Sequence, residues 1–245
     1  GQTLILTNAF ADYDGATALP QITSVITLSN GTILRNGAAP DFRFLAMSAT
    51  ADLTLNGVTL QDGRLPVNQD AGAIRNIEGT LRLVGSSILG NQADSSGAIY
   101  HQRGLMTISN STISDNTPTR SLGVITNAEG TLRIVNSTFS GNACNCSSNE
   151  AGVLYNFGGT TTIVGSTFTG NTANGVAGVL HNFNGSIDIA NSAFAGNSAG
   201  SNAGAIFNNV GIMTLANSIV TGNQAGTFGG GIINGSNGTL TISNS

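Results

Sequence analysis

Short runs in which apolar and polar residues alternate recur along most of the chain, and such alternation is typical of β-strands with one buried side. In one run, Leu81 and Leu83 are predicted to point into a core and Arg82 to point away from it. The runs lack the 3.6-residue spacing of an amphipathic helix. The pattern therefore predicts an all-β protein.

The alternating runs belong to a repeat with a period of about 26 residues, which is typical of a solenoid. The clearest copies of its first block span 79–91, 104–116, 130–142, 159–171, 185–197 and 211–223. A second block, Gly-Ala-Ile-Arg-Asn at 72–76, recurs between them, and the first block begins again at 238–245. Each period holds three strand-like runs separated by Gly and Asn.

Three strands and three turns per period are what one coil of a β-helix requires, because each strand then pairs with its copy in the next coil. We therefore predict a right-handed parallel β-helix of about nine coils that forms a single domain over 1–245. The coils over 53–245 are regular, whereas 1–52 is less regular.

Two sets of Asn residues recur once per coil, and their amides are predicted to form hydrogen-bonded ladders along the solenoid. The first ladder consists of Asn91, Asn116, Asn142, Asn171, Asn197 and Asn223. The second consists of Asn76, Asn127, Asn156, Asn182, Asn208 and Asn234, and His101 interrupts it. We expect these residues to be structural, because each recurs at a corner of the repeat.

The motifs Phe-x-x-Asn at 139–142, 168–171 and 194–197, together with Gly-Ala-Ile and its variants, carry a family resemblance. They resemble the repeats of the chlamydial polymorphic outer-membrane proteins, and the chain is more closely similar to bacterial secreted β-helix repeat proteins. The resemblance covers nearly the whole chain. It implies a β-helix fold and an extracellular or cell-surface location.

Composition excludes several classes of function. The net charge is −4 and all eight basic residues are Arg, whereas a nucleic-acid partner needs a basic surface. Apolar residues make up 40% of the chain at regular spacing, which argues against disorder. No apolar run has the length of a membrane span, and no signal peptide is visible. Gly1 at the start suggests a processed chain or a fragment.

Acidic residues are scattered, so the paired carboxylates of a polysaccharide-cleaving β-helix are not predicted. Glu78 and Glu129 share a loop position but lie two coils apart. We expect surface ion pairs of the type Glu78–Arg82 or Glu129–Arg133. We predict no catalytic residue and no enzyme.

His101 and His181 lie in different registers and two to three coils apart, so neither a zinc site nor a nucleophile–histidine pair is expected. Asp12 and Asp14 in the N-terminal loop leave a weak cation site as an open alternative. We otherwise predict no metal and no cofactor.

Cys144 and Cys146 lie in the loop of the one 29-residue coil, which we expect on the surface. A local disulfide, an intermolecular disulfide and an incidental pair of thiols remain open interpretations; the first two require an oxidising compartment.

Several Asn residues stand in glycosylation sequons. Those at Asn30, Asn110 and Asn136 share one corner of the repeat and are interpreted as structural. The candidate glycosylation sites are in loops, at Asn145, Asn184 and Asn237.

One outward column of the third strand is more apolar than the others, and we predict that it is an exposed contact surface. Its candidate members are Tyr100, Tyr155, His181, Phe207 and Ile233. The expected partner is another protein, and a surface glycan is the alternative.

The N-terminal segment 1–8 reads like 238–244, so both ends look like ordinary strands of one class. Either the coils continue beyond the sequence, or the end of one copy stacks on the start of the next to form a filament. We predict an extracellular structural or adhesive β-solenoid with itself as the main partner. The alternative is a carbohydrate-binding or polysaccharide-cleaving β-helix.

Overall fold

The computed structural model describes residues 1–12, 15–66, 68–146 and 150–245. Within these ranges the secondary structure consists of strands and turns without a helix, and parallel strands stack into a β-solenoid of about nine turns, about 26 residues apart. The predicted all-β solenoid is therefore confirmed.

The first six strands are β1 (Gln2–Leu6), β2 (Ala11–Asp12), β3 (Ala16–Thr17), β4 (Val25–Arg35), β5 (Leu45–Met47) and β6 (Asp52–Gln61). Face 1 consists of β8 (Thr80–Val84), β12 (Leu105–Ser109), β16 (Thr131–Val135), β20 (Thr160–Val164), β24 (Ser186–Ala190), β28 (Ile212–Ala216) and β32 (Thr239–Ser243). Face 2 consists of β9 (Ser87–Leu89), β13 (Thr112–Ser114), β17 (Thr138–Ser140), β21 (Thr167–Thr169), β25 (Ala193–Ala195) and β29 (Ile219–Thr221).

Face 3 begins at β5 and continues through β7 (Ile74–Ile77), β11 (Ile99–Gln102), β15 (Ile125–Ala128), β19 (Leu154–Phe157), β23 (Leu180–Phe183), β27 (Ile206–Asn208) and β31 (Ile232–Asn234). Short corner strands between faces 2 and 3 are β10 (Gln92–Ala93), β14 (Thr117–Pro118), β18 (Ala143–Cys144), β22 (Thr172–Ala173), β26 (Ser198–Ala199) and β30 (Gln224–Ala225). Faces 1 to 3 are the three predicted strands of each coil, and the corner strands are a fourth segment that the sequence pattern did not reveal.

Alternation within each strand places every second side chain in the core. Leu81 and Leu83 are fully buried, as predicted, whereas Arg82 is 40% exposed. On face 2 the rings of Phe139, Phe168 and Phe194 stack on one another with centroids 4.7 Å apart. This separation matches the spacing of neighbouring strands, so an identical side chain in successive coils makes the best possible contact.

The corner between faces 1 and 2 requires a left-handed backbone conformation, which Asn adopts more readily than most residues. Asn30, Asn110 and Asn136 have φ values of 54°, 51° and 48°. The structural interpretation of these three sequons is consistent with that geometry. One residue later, Ser111 uses its hydroxyl to accept the backbone N–H of Ser86 in the preceding coil, at 3.0 Å.

The N-terminal coils differ from the rest. β4 and β6 run through faces 1 and 2 as single long strands, and β2 and β3 are the one antiparallel strand pair among the described residues. β1 pairs with the second half of β4 and so lies on face 2, whereas β32 lies on face 1. The end segments that resemble each other in sequence therefore do not occupy equivalent positions.

Candidate functional site

Two columns of side-chain amides run through the solenoid, and the first lies where face 2 meets the corner strands. Its buried members include Asn142, whose Nδ2 donates to Asn171 Oδ1 at 2.9 Å and to the carbonyl of Ile113 at 2.9 Å. The backbone N–H of Asn142 donates to the same Oδ1 at 3.1 Å. From Asn91 to Asn223 the amide-to-amide distances are 2.9–3.1 Å, so this predicted ladder is confirmed.

The second column lies at the end of face 3. Between Asn127 and Asn234, each Nδ2 donates to the Oδ1 in the next coil at 2.7–2.9 Å. Each Nδ2 also donates to a Gly carbonyl at the following corner, as Asn156 does to Gly159 at 2.9 Å. These contacts hold the chain at the turn from face 3 to face 1.

His101 interrupts the second column, as predicted. Asn76 Nδ2 donates to its Nδ1 at 3.0 Å, which leaves the ring proton on Nε2 in the neutral tautomer. His101 is fully buried, and among the described residues neither His101 Nε2 nor Asn127 Oδ1 has a hydrogen-bond partner. The ladder is therefore broken on one side of the imidazole and intact on the other.

Burial lowers the pKa of the His101 imidazole from 6.5 to about 4, because the charged ring would lose its hydration. The nearby carbonyls of Thr131 and Gly104 favour the protonated ring but do not offset this loss. His101 is therefore neutral at physiological pH and is a structural weak point under acid conditions.

The predicted contact column does point away from the core, but it is less exposed than expected. Tyr100, Tyr155, Phe207 and Ile233 are half-buried, and His181 is only 1% exposed. The prediction was wrong for His181, which contacts rings in both neighbouring coils.

Cover for this column comes from the loops that precede the face 3 strands. Ala151, Val176 and Ala177 form a buried cluster, and Phe207 packs against it. His181 lies between Tyr155 and Phe207, with ring centroids 5.2 Å and 5.0 Å away. The column is thus a second, smaller apolar layer beneath the loops.

A neighbouring outward column on face 3 adds aromatic residues that the sequence analysis missed. Phe157 is 41% exposed, its ring stacks on Phe183 at 5.9 Å, and it lies 6.4 Å from the ring of Tyr155. Burial raises the pKa of the Tyr155 phenol, and the carboxylate of Glu150 adds to the effect. Phe157 and Phe183 lie two positions after the predicted contact residues Tyr155 and His181. Residues two apart in a strand point to the same side, so the alternation would have revealed this column.

An open pocket of about 250 Å³ lies on face 3 where two coils with large outward side chains flank a coil with small ones. We name it the face 3 slot; its lining residues are Tyr100, Leu122, Thr126, Ala128, Tyr155 and Phe157.

Cys144 and Cys146 form a disulfide within the chain, which selects the local bridge among the alternatives. Both side chains are only 1% exposed and pack against Ala173 in the next coil. The expectation of a surface position was therefore wrong. Cys144 belongs to a corner strand that pairs with the strand of Ala173, and this pairing draws the bridge inward.

The three candidate glycosylation residues, Asn145, Asn184 and Asn237, are all exposed. Asn184 has a φ of 59° at the corner that follows face 3. Their amides are accessible, so glycosylation at these positions stays a prediction.

The ion pairs of Glu78 and Arg82 join neighbouring coils. Glu78 pairs with Arg103 at 3.0 Å, and Arg82 pairs with Asp52. The expected pair Glu78–Arg82 is wrong, because residues one period apart are stacked whereas residues four apart in a strand are not.

Acidic, His and Cys residues do not form a group of three or more that could hold a metal ion anywhere in the part of the chain that the structure describes. Asp14, a candidate for the weak cation site, lies outside the described residues, as does the side chain of Asp12. Over the same described part, no helix is long and apolar enough to cross a membrane. Comparison with protein-family models, with curated proteins and with solved structures finds no match to this chain.

Proposed function

We propose that this chain is the rod of an extracellular structural or adhesive protein. The observation that supports this proposal is the use of polar side chains within the solenoid. In the first ladder a single buried amide such as Asn142 makes hydrogen bonds to both neighbouring coils. An amide that makes hydrogen bonds to both neighbouring coils stiffens the rod, and it is not available to bind or react with a substrate.

The disulfide supports the extracellular part of the proposal, because disulfides persist in oxidising compartments and are rare in the cytosol. In protein taken from its source and denatured in the presence of iodoacetamide, so that buried thiols also react, we expect Cys144 and Cys146 to gain no alkyl groups until a reductant is added. Immunogold labelling of the same cells should place the protein outside. Alkylation of both cysteines before reduction, together with label inside the cell, would contradict the extracellular proposal.

End-to-end association of the 245-residue chain is a second candidate property, favoured by the apolar side chains exposed on both end coils. Leu4 is 49% exposed at one end and Ile242 is 51% exposed at the other. Both belong to core columns, because Leu4 pairs with the buried Ile33 and Ile242 pairs with the buried Leu215. If two copies stack with their equivalent faces aligned, β32 at the end of face 1 in one copy would lie beside the strand that contains Val25 in the next copy. The proposed joint therefore does not bring the similar segments 1–8 and 238–244 together.

We expect light scattering to show a mass that rises with concentration for the 245-residue chain. The variant Ile242→Lys should stay monomeric, because a charge would be buried in the joint. Thr162→Lys, which adds a charge on the outward side of face 1, is the control and should associate like the unmodified chain. A monomer at all concentrations would refute the association.

A further inference from the structure

We propose that the face 3 slot binds a sugar ring of a neutral glycan, an inference that rests on the adhesive part of the proposed function. The slot follows directly from the register of face 3. Thr126 stands between Tyr100 and Tyr155 in stacked coils, because Tyr100 pairs with Thr126 and Thr126 pairs with Tyr155. Ala128 likewise stands between Gln102 and the coil of Phe157.

The dimensions of the slot suit one ring. Its walls lie two strand spacings apart, about 9.6 Å, so a ring centred over Thr126 has about 4.8 Å to either wall. This is van der Waals distance for a six-membered chair with its protruding hydrogens. Thr126 is 2% exposed and Ala128 is 8% exposed, so the floor is closed and a ligand enters from outside the solenoid.

The walls combine apolar surface with hydrogen-bonding groups, and a sugar ring presents the same combination. The rings of Tyr155 and Phe157 are nearly parallel, with 13° between their planes and 6.4 Å between their centroids, and they supply the apolar surface. Burial raises the pKa of both wall tyrosines, Tyr100 and Tyr155, so their hydroxyls keep their protons as donors. A purely apolar side chain would use the rings and leave these hydroxyls without partners.

Charges around the slot favour a neutral sugar over an acidic one. The carboxylates of Asp70 and Glu129 are close enough to Tyr100 to raise its pKa, and that of Glu150 acts in the same way on Tyr155. Arg75 and Arg103 oppose the effect at Tyr100, where they equal the acids in number. With Glu150 at Tyr155, three carboxylates face two guanidinium groups around the slot. A uronate would bring a further negative charge to this rim, whereas neutral hydroxyls can donate to the carboxylates.

Tyrosine fluorescence provides a direct readout, because the chain has no Trp and only three Tyr, two of which form the walls. We would titrate the 245-residue chain with cellohexaose, chitohexaose and mannohexaose, and with trigalacturonate as the acidic probe. At least one neutral probe should give a saturable change with a dissociation constant on the order of 1 mM, as expected for contacts to a single ring. Trigalacturonate should give none.

Two variants test the slot itself. Ala128→Phe should fill the floor while extending the stack of Phe157 and Phe183, and Tyr155→Ala should remove a wall. Each should weaken binding about tenfold or more. Phe207→Ala removes an aromatic ring from the same face outside the slot, and this matched control should bind within about twofold of the unmodified chain.

Circular dichroism would check the fold of each variant, and Ala128→Phe keeps the test decisive if Tyr155→Ala does not fold. Lack of saturable binding across the neutral probes, or equal losses in Phe207→Ala and Ala128→Phe, would overturn the proposal. So would a self-association that Ala128→Phe abolishes, because the slot would then receive a second copy of the chain. None of these results bears on the extracellular rod, which thiol trapping and immunogold labelling test separately.

Discussion

Asn171→Ala is expected to lower the free energy of unfolding by about 4 kcal/mol, because it removes four buried hydrogen bonds at about 1 kcal/mol each. Asn171 Oδ1 accepts both the backbone N–H and the Nδ2 of Asn142, at 3.1 Å and 2.9 Å. Its Nδ2 donates to the carbonyl of Phe139 and to Asn197 Oδ1, both at 3.0 Å. The buried groups left behind gain no water in exchange, so the loss is not offset.

Urea denaturation followed by circular dichroism would measure this loss. Asn174→Ala is the matched control, because Asn174 lies three residues further on in the same coil and is exposed. It should cost less than about 0.5 kcal/mol, as surface substitutions usually do. Equal effects of the two substitutions would show that the ladder does not hold the coils together.

Asn223→Ala provides a graded comparison within the ladder. Asn223 is only partly buried, and its Nδ2 donates to the carbonyl of Phe194 at 2.9 Å. Water can replace some of the lost contacts there, so the cost should be smaller than that of Asn171→Ala. The contribution of each ladder residue to the free energy of unfolding would then depend on how deeply that residue is buried, and would differ between coils.

The sequence predicts the ladders correctly because everything that determines them is periodic. Asn142 and Asn171 align when the repeats are aligned, and parallel in-register pairing places aligned residues next to each other. The stacked rings of Phe139 and Phe168 follow from the same rule. For such positions the alignment of repeats already gives the tertiary contacts.

The predictions from the sequence are wrong where the loops do not follow the repeat of about 26 residues. The burial of His181 depends on loop segments that fold over face 3. The bridge between Cys144 and Cys146, at the start of the longest loop, is buried against Ala173 in the next coil. The lengths of these loops vary from coil to coil, and alternation within strands carries no information about their paths. Local separation also misled the choice of ion pairs, since Glu78 reaches Arg103 in the next coil.

The face 3 slot could have been predicted from the sequence only in part. Tyr100, Thr126 and Tyr155, which form its walls and floor, stand at the same position of successive repeats, and this order is visible in the sequence. The sequence analysis considered only how apolar the column is along the rod. A change of side-chain size within one column is the additional signal, because a small residue between two large ones leaves a gap one coil wide.

His101→Asn is expected to make the protein more resistant to acid, and the effect should grow as the pH falls. The pKa of His101 is about 4 in the folded protein and about 6.5 when unfolded, so the unfolded chain binds the extra proton between these values. The native contribution of the neutral ring is therefore complete above pH 6.5 and is lost as the pH falls towards 4. At pH 4.5 the loss should be about 2.5 kcal/mol.

Asparagine at position 101 would not titrate, and it would offer an Nδ2 donor to Asn127 Oδ1, which has no partner among the described residues. Urea denaturation at pH 7.5 and pH 4.5 would give the stability of both proteins, and the carboxylates common to both cancel in the difference. The advantage of His101→Asn over the unmodified chain should increase by about 2.5 kcal/mol between the two pH values. A difference independent of pH would mean that the imidazole takes up its proton as readily in the folded protein as in the unfolded chain, so that a charged ring occupies the break in the second ladder at pH 4.5.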